Sequence, residues 1–329
     1  MAANVIGSTF TSLIQEHYDR KMLSTREIKN DLLGYGKKAI IPKGNSDIIH
    51  WNRLELYSLA QDVTDGTDLV TPQTPTVTEV KGKLALYGDY VSFSPYGDEI
   101  RIASLIDDSY DQMILQAGRT ANRKLQTVLS NGDVTTGNSF TAFQKMYAGN
   151  ATSFAELVSG GSYKLTSKDI QRAVGYLKKT GAKPPIVCLM NAWGYEDLMI
   201  HDQEFRDLIK NQDLAILKTN ELPQWAGAKI GWQDDPWREN LLSAGGAEGT
   251  YAAAGAVHTT WIFGQESFGT VQLMGRNGLK PKFKVQDISK IGSEVTIGYF
   301  IPFKGGALNS TWGVALRAVA NNPEVSSVT

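Results

Sequence analysis

"SLAQDVTDGTDLVTPQTPTVTEVKGKLALYGDY", Ser58 to Tyr90, is the stretch on which the reading of this chain turns. Its valines and threonines favour extended structure, while its two prolines and regularly spaced charges keep it out of a core. It is too polar for an interior and too rich in strand formers for a flexible linker. Two arms of about twelve residues at ~3.3 Å each make a hairpin reaching roughly 40 Å from the body. A lone hairpin of that length is marginal in water, so it makes sense when another chain supplies the missing surface. On this reading Asp65, Gly66, Thr74, Thr76, Thr78, Lys81 and Lys83 are candidate contact residues between subunits.

The stretch sits near the start of a 329-residue chain with 42% apolar and 20% charged residues, enough for one large domain or two to three smaller ones. Lys and Arg number 33 against 34 Asp and Glu, a formal net charge of −1. That balance argues against a free-standing nucleic-acid binder, which carries a basic excess. The single cysteine, Cys188, lies in the apolar run "IVCLMN" and reads as a small buried hydrophobe on a strand. "MAANVIGSTFTSLIQEHYDRK" lacks the pattern of a signal peptide, and no apolar run approaches the ~20 residues of a membrane span.

Ahead of the hairpin, residues 1–43 read as an arm with helical pieces. Leu13, Ile14, His17, Tyr18 and Met22 share a face and have no local partner, which makes Tyr18 a further contact candidate. "IPKGNSDIIHWNRLEL" then turns at Pro-Lys-Gly-Asn and enters a strand, and "YGDYVSFS" brings the chain back. The strongest helix follows. Ile102, Ile106, Tyr110, Met113, Ala117, Ala121, Leu125 and Val128 form one stripe, stopped by Asn131-Gly132. At ~1.5 Å per residue it is a spine about 40 Å long.

A polar segment, 131–164, leads to a helix opened by Thr166 and Asp169 and ended by Gly181. "PIVCLM" reads as a buried strand and "WGYEDLMIHDQEFRDLIKN" as one amphipathic helix on Leu198, Phe205 and Leu208. From Ala226 the pattern is mostly β: in "KPKFKVQDI" Phe283, Val285 and Ile288 oppose Lys282 and Lys284, and "EVTIGYFIPF" and "WGVALRAVA" close the chain. This order gives an α+β fold rather than a regular βαβ series.

Catalytic patterns are absent. His17, His50, His201 and His258 fall in no zinc-binding motif; Asp197 and His201, one turn apart with Asp202 and Glu204 nearby, are the one geometrically conceivable metal pair, and a solvated helix face gives the same letters. "GYGKKA", Gly34 to Ala39, has the dinucleotide-loop spacing in reversed context. "GQESFG" around Ser267 lacks the first glycine of a nucleophile elbow. The chain reads as a non-enzyme without catalytic, cofactor or metal residues.

With two extensions, a rigid helix and no active site, the sequence resembles a tailed-phage major capsid protein of the Hong Kong 97-type fold, nearest to the coliphage N-four family. "EHYDRKML" (Glu16–Leu23), "IPKGNSDIIHWNRLEL" with Pro42, Gly44, Trp51 and Arg53, "ALYGDYVSFS" with Tyr87, Gly88 and Tyr90, "GQESFGTVQL" and "EVTIGYFIPFKGGALNSTWGVALRAVAN" carry the resemblance. It implies an N-terminal arm at 1–43, an extended β-hairpin loop at 44–99, a peripheral domain with the spine helix at 100–184, an axial domain at 185–280 and peripheral return strands at 281–329. The segment Gln233–Tyr251, with Trp237 and Arg238, is then placed toward the axial tip as a further contact surface.

The implied function is a structural one: hexamers and pentamers closing into an icosahedral shell around double-stranded phage DNA, assembled in the host bacterial cytoplasm and ending in the virion capsid. The implied partners are other copies of the chain, a separate scaffolding protein, a portal, a decoration protein and non-specific contact with packaged DNA, with no membrane. An encapsulin-like nanocompartment shell is the alternative, and a metal-dependent enzyme on Asp197 and His201 a more distant one. Trimming residues 66–82 is expected to leave a folded chain that does not assemble.

Overall fold

From Ile106 on, the apolar stripe behind the hairpin does what its spacing requires: Leu105–Asn131 is one 27-residue α-helix, while Ile102 lies outside the described residues. It ends at Gly132, whose φ of +75° is a left-handed turn that glycine adopts without steric penalty. The computed structural model describes residues 31–42, 46–60, 62, 72–93, 105–159, 163–211, 224–239, 247–252, 256–273, 281–287 and 295–319. The helices in chain order are α1 (Asp31–Tyr35), α2 (Leu105–Asn131), α3 (Phe154–Ser159), α4 (Ser167–Lys179), α5 (Ala192–His201) and α6 (Gln203–Asn211). The strands are β1 (Lys37–Ile41), β2 (Ile48–Leu54), β3 (Val77–Lys83), β4 (Ala85–Phe93), β5 (Gln144–Tyr147), β6 (Ile186–Met190), β7 (Gln224–Trp225), β8 (Ala228–Trp232), β9 (Arg238–Glu239), β10 (Val257–Phe263), β11 (Phe268–Leu273), β12 (Lys282–Asp287), β13 (Val295–Ala307) and β14 (Gly313–Val319).

Two larger sheets and one hairpin result. Among the described residues a five-stranded sheet runs β1-β11-β13-β12, with β4 also paired to β13; a seven-stranded sheet runs β5-β14-β10-β6-β8-β7, with β9 on β10; and β2 and β3 pair only with each other. The seven-stranded sheet is covered on both faces, which explains why "IVCLM" is buried at every position. Ile186, Cys188 and Met190 pack with α4, while Val187 and Leu189 point the other way into a second core with Trp261, Phe263 and Phe303. Ala117, Ala121, Leu125 and Leu129 of α2 enter that second core.

Local signals set the remaining ends. Thr166 and Asp169 form a reciprocal capping box on α4, as their spacing predicts. The stretch read as one helix from Trp193 to Asn211 is instead two, α5 and α6, divided at Asp202. There the backbone leaves the helical region (φ −101°, ψ 105°), and the carboxylate accepts from the N–H groups of Phe205 (3.1 Å) and Ser167 (2.6 Å). Asp202 therefore caps α6 and ties it to α4, a local competition that an apolar stripe does not register. On β12 the alternation holds in part: Phe283 packs edge-on against Tyr110 at 4.9 Å, but Val285 is 54% exposed. Ile288 lies outside the described residues.

The hairpin is corrected in its limits. Its arms are 48–60 and 72–83, so it begins ten residues before Ser58, and "ALYGDYVSF" is not its return strand. β4 leaves the hairpin and pairs with β13 over nine residues, Ala85 opposite Phe303 and Phe93 opposite Val295.

Candidate inter-subunit interface

β2 and β3 pair in strict register, Ile48 opposite Lys83 and Leu54 opposite Val77, and one further bond runs from Glu55 N–H to Thr76 O at 2.9 Å. Beyond it the arms part around a cleft of about 350 Å³ lined by Glu55, Tyr57, Pro72 and Thr74. Pro72 and Pro75 cannot donate to a ladder. Gln73 bridges the gap with its side chain, donating to the carbonyls of Ser58 (3.2 Å) and Leu59 (3.3 Å).

The hairpin's root is fixed to the loop after α2. Lys81 N–H donates to Ser139 Oγ (2.8 Å), Ser139 N–H returns to Lys81 O (3.0 Å), and Lys83 N–H donates to Asn138 Oδ1 (2.8 Å). The rings of Trp51 and Phe140 meet at 6.0 Å between centroids. Gly82 lies in this contact, and a Cβ there would stand 2.8 Å from Phe140 and 3.0 Å from Trp51, so the position has room only for glycine.

The outer end is a different surface. Leu54, Leu56, Tyr57, Leu59 and Val77 are all exposed, Leu56 at 99% and Leu59 at 93%. Burying one such leucine is worth about 1.5–3 kcal/mol, and among the described residues nothing in the chain covers them. Charged pairs run along the ladder: His50 and Lys81 flank Glu79, and Arg53 and Thr78 hold Glu55. Lys81 and then His50 lower the Glu79 carboxyl; Thr78 and then Arg53 lower that of Glu55. These groups lie in solvent, so they set register more than stability.

The candidate contact residues separate clearly. Thr74, Thr76 and Thr78 are exposed on the second arm. Lys81 and Lys83 stand at the root, where Lys81 pairs with Glu79 at 2.9 Å and Lys83 with Asp47 at 3.5 Å. Tyr18, Asp65 and Gly66 lie outside the described residues. Trp237 is an interior residue, 1% exposed, its Nε1–H donating to Glu239 Oε1 at 2.7 Å; an aromatic in a Gly- and Ala-rich segment reads as surface only until β9 pairs with β10 and turns it inward. Arg238 is half-buried, its guanidinium 4.3 Å from the Trp193 ring centroid.

Two arginines that the sequence reading passed over organise the interior beside this segment. Arg317 of β14 is fully buried and donates to Glu239 (2.9 Å), Ser130 Oγ (2.9 Å) and Glu248 (2.6 Å). Burial raises the Glu248 carboxyl, but Lys145 at 2.8 Å and Arg317 outweigh it and hold the group below its usual range. Arg123 of α2 pairs with Asp235, donates to Pro236 O and lies 3.5 Å from the Tyr251 ring centroid. The signals were faint but present: Arg317 interrupts an otherwise apolar strand, and Asn122, Gln126 and Ser130 form a second, polar stripe on α2, every member fully buried.

No reaction centre is assembled from the remaining candidates. His201 lies against Lys164, Asp202 is spent on capping, and Glu204 pairs with Lys168 at 3.0 Å. Among the described residues no group of three His, Cys, Asp or Glu converges as metal ligands do. Burial pushes the Cys188 thiol up to about 12, far from a reactive thiolate. No described helix is long and apolar enough to cross a membrane.

The two sheets, the long helix between them and the projecting hairpin have the fold of phage capsid proteins. The capsid of cyanophage P-SCSP1u aligns over 97% of both chains at TM-score 0.66 and 16% identity. That of Helicobacter pylori bacteriophage KHP30 aligns over 97% of this chain and 99% of its own at TM-score 0.71 and 9% identity. The SrpI encapsulin complex of Synechococcus elongatus is also similar, over 94% of both chains at TM-score 0.56 and 10% identity. No protein-family model matches the sequence, and no curated protein matches it.

Proposed function

We propose that this chain is a major capsid protein of the Hong Kong 97-type fold, akin to the coliphage N-four family, which assembles as hexamers and pentamers into an icosahedral shell around double-stranded phage DNA. The observation that carries the reading is the hairpin, a fixed root bearing fully exposed leucines, on a fold shared with phage capsids along nearly the whole chain. In this reading 1–43 is the N-terminal arm, 44–99 the extended-loop segment whose hairpin, 48–83, lies over a neighbour while its β4 returns to the sheet, 100–184 with 281–329 the peripheral domain, and 185–280 the axial domain. Its partners are other copies, a separately encoded scaffold, a portal, a decoration protein and the packaged DNA, with assembly in the bacterial cytoplasm. It performs no reaction.

The test shortens the hairpin without touching its root. Removing 66–82 would delete all of β3 but Lys83 and both bonds of Lys81 to Ser139, so the cleaner cut replaces 56–75 with Asn-Gly between the bonded pair Glu55 and Thr76. The expected product is a folded chain that forms no shells under conditions where the full chain does. Normal shells from the shortened chain overturn the interface reading. An encapsulin-like compartment is favoured instead if purified shells hold one protein cargo and no DNA.

A further inference from the structure

At one corner of the body several loops are tied into a single surface. α4 ends at Lys179, and the turn that follows it, with Gly181 at φ +73°, leads to β6. In that turn Thr180 Oγ1 donates to Thr311 O (3.0 Å), and Thr180 O accepts from Trp312 Nε1–H (3.2 Å). Lys183 O accepts from Gln265 N–H (2.8 Å), in the turn between β10 and β11. The start of β1 joins them through Glu266, whose carboxylate pairs with Lys37 at 3.1 Å and with Lys183 at 3.3 Å.

What these segments bring together is positive charge. Lys37, Lys178, Lys179 and Lys183 are all exposed, and among the described residues the only carboxylate paired with any of them is Glu266. Four ammonium groups against one carboxylate leave this corner at +3, on a chain whose formal total is −1. Lysines in the last turn of a helix complement its dipole, which accounts for Lys178 and Lys179. It does not account for Lys37 and Lys183, which reach the same corner from other segments against the repulsion of like charges.

The surface also says what kind of partner fits it. Trp312 is half-buried, its Nε1–H is spent on Thr180, and Lys183 Nζ stands 5.8 Å from its ring centroid. A protein interface is built round an apolar core, and among the described residues this corner supplies none. Lysines are compact point charges without the planar fork with which arginine reads a base edge. Like charges without an apolar anchor suit a polyanion whose charge repeats along its length, as in double-stranded DNA.

We propose that this corner binds the phosphate backbone of double-stranded DNA without regard to sequence. The proposal rests on the shell-subunit reading, which has DNA as a partner but no surface for it, and it turns this corner toward the shell's interior. Lys37, Lys178, Lys179 and Lys183 each displace a counterion from the duplex, and no base is read.

The experiment titrates the full, unassembled chain into a short fluorescent duplex of arbitrary sequence, by anisotropy, across a series of salt concentrations. Four phosphate contacts give a log–log salt slope of about −3 to −4. Lys179→Gln with Lys183→Gln should weaken binding about tenfold and bring the slope to about −2. The control pair Lys282→Gln with Lys284→Gln removes exposed lysines of β12 and should leave the slope unchanged. All four positions are exposed, so both double variants keep the folded chain. A slope unmoved by the first pair, or lowered equally by the control pair, overturns the proposal.

A second arm uses assembled particles whose DNA carries photoreactive thymine analogues. After irradiation and digestion, mass spectrometry should find nucleotide adducts within residues 178–183. Adducts confined to other residues, or an acidic protein held at this corner in place of DNA, overturn the proposal and leave the shell reading intact. Particles that hold no DNA sink the phage-shell reading, and this proposal falls with it.

Discussion

Replacing Arg317 with Met should destabilise the folded chain more than any surface change. Both ends of the Arg317–Glu239 pair are fully excluded from solvent at 2.9 Å. Methionine fills much of the space but leaves Glu239 as a buried carboxylate whose remaining donor among the described residues is Trp237 Nε1–H at 2.7 Å. It also removes the donor to Ser130, the last turn of α2, and one of the two cations holding Glu248. Breaking a buried pair from one side costs about 3–5 kcal/mol. Glu248 adds little to that sum, because it is a third exposed and keeps Lys145. Adding Glu239→Gln to Arg317→Met removes the stranded charge and should return about 2–3 kcal/mol. Urea unfolding of the purified chain, followed by tryptophan fluorescence, measures both variants through their midpoints at unchanged slope. A single variant within about 1 kcal/mol of the parent, or a strictly additive double variant, refutes the claim that the pair is a desolvated unit.

Further outcomes follow from other sites. Burial, with Arg238 adding to it, lowers the His258 imidazole to about 3, so the folded chain keeps it neutral while the unfolded chain takes up a proton below about 6.5. Its contribution is complete above pH 6.5 and declines by about 1.4 kcal/mol per unit as pH falls toward 3; between pH 7 and 5, His258→Gln should remove roughly 2 kcal/mol of that slope in urea titrations. Gly82→Ala places a methyl 2.8 Å from Phe140 and should lower stability by about 1–3 kcal/mol while exposing the hairpin root to limited proteolysis. Gly175→Ala is the opposite case: it lies inside α4 with nothing within 4 Å, and thermal unfolding should show a gain of about 0.5–1 kcal/mol.

What could be read in advance was whatever short-range periodicity encodes. The α2 stripe, the Thr166 capping box and the all-apolar run of β6 are each specified by neighbours within four residues. The hairpin was legible as a hairpin, but not its limits, because β4 has the same strand-forming letters whether it pairs with β3 or with Val295–Phe303. β5 was hidden in a polar segment; it is a strand because its four residues lie parallel to Val314–Arg317, a partner 170 residues away. The polar interior was illegible for the same reason. Arg317 becomes a core residue only when β14, β9 and the end of α2 are brought together around it. Trp237 was misplaced because its segment's composition speaks of a loop, while its burial depends on β9 meeting β10.

The way the hairpin is spliced into the body has a mechanical consequence. Only Leu84 separates β3 from β4, and β4 lies along β13 for nine consecutive pairs. A pull that enters β4 at Ala85 along the strand axis therefore loads those pairs in shear, all together, instead of peeling them one after another. β13 passes the load to β11 and β12 through its own thirteen residues. The body can be tugged through its hairpin without β4 unzipping from the sheet behind it.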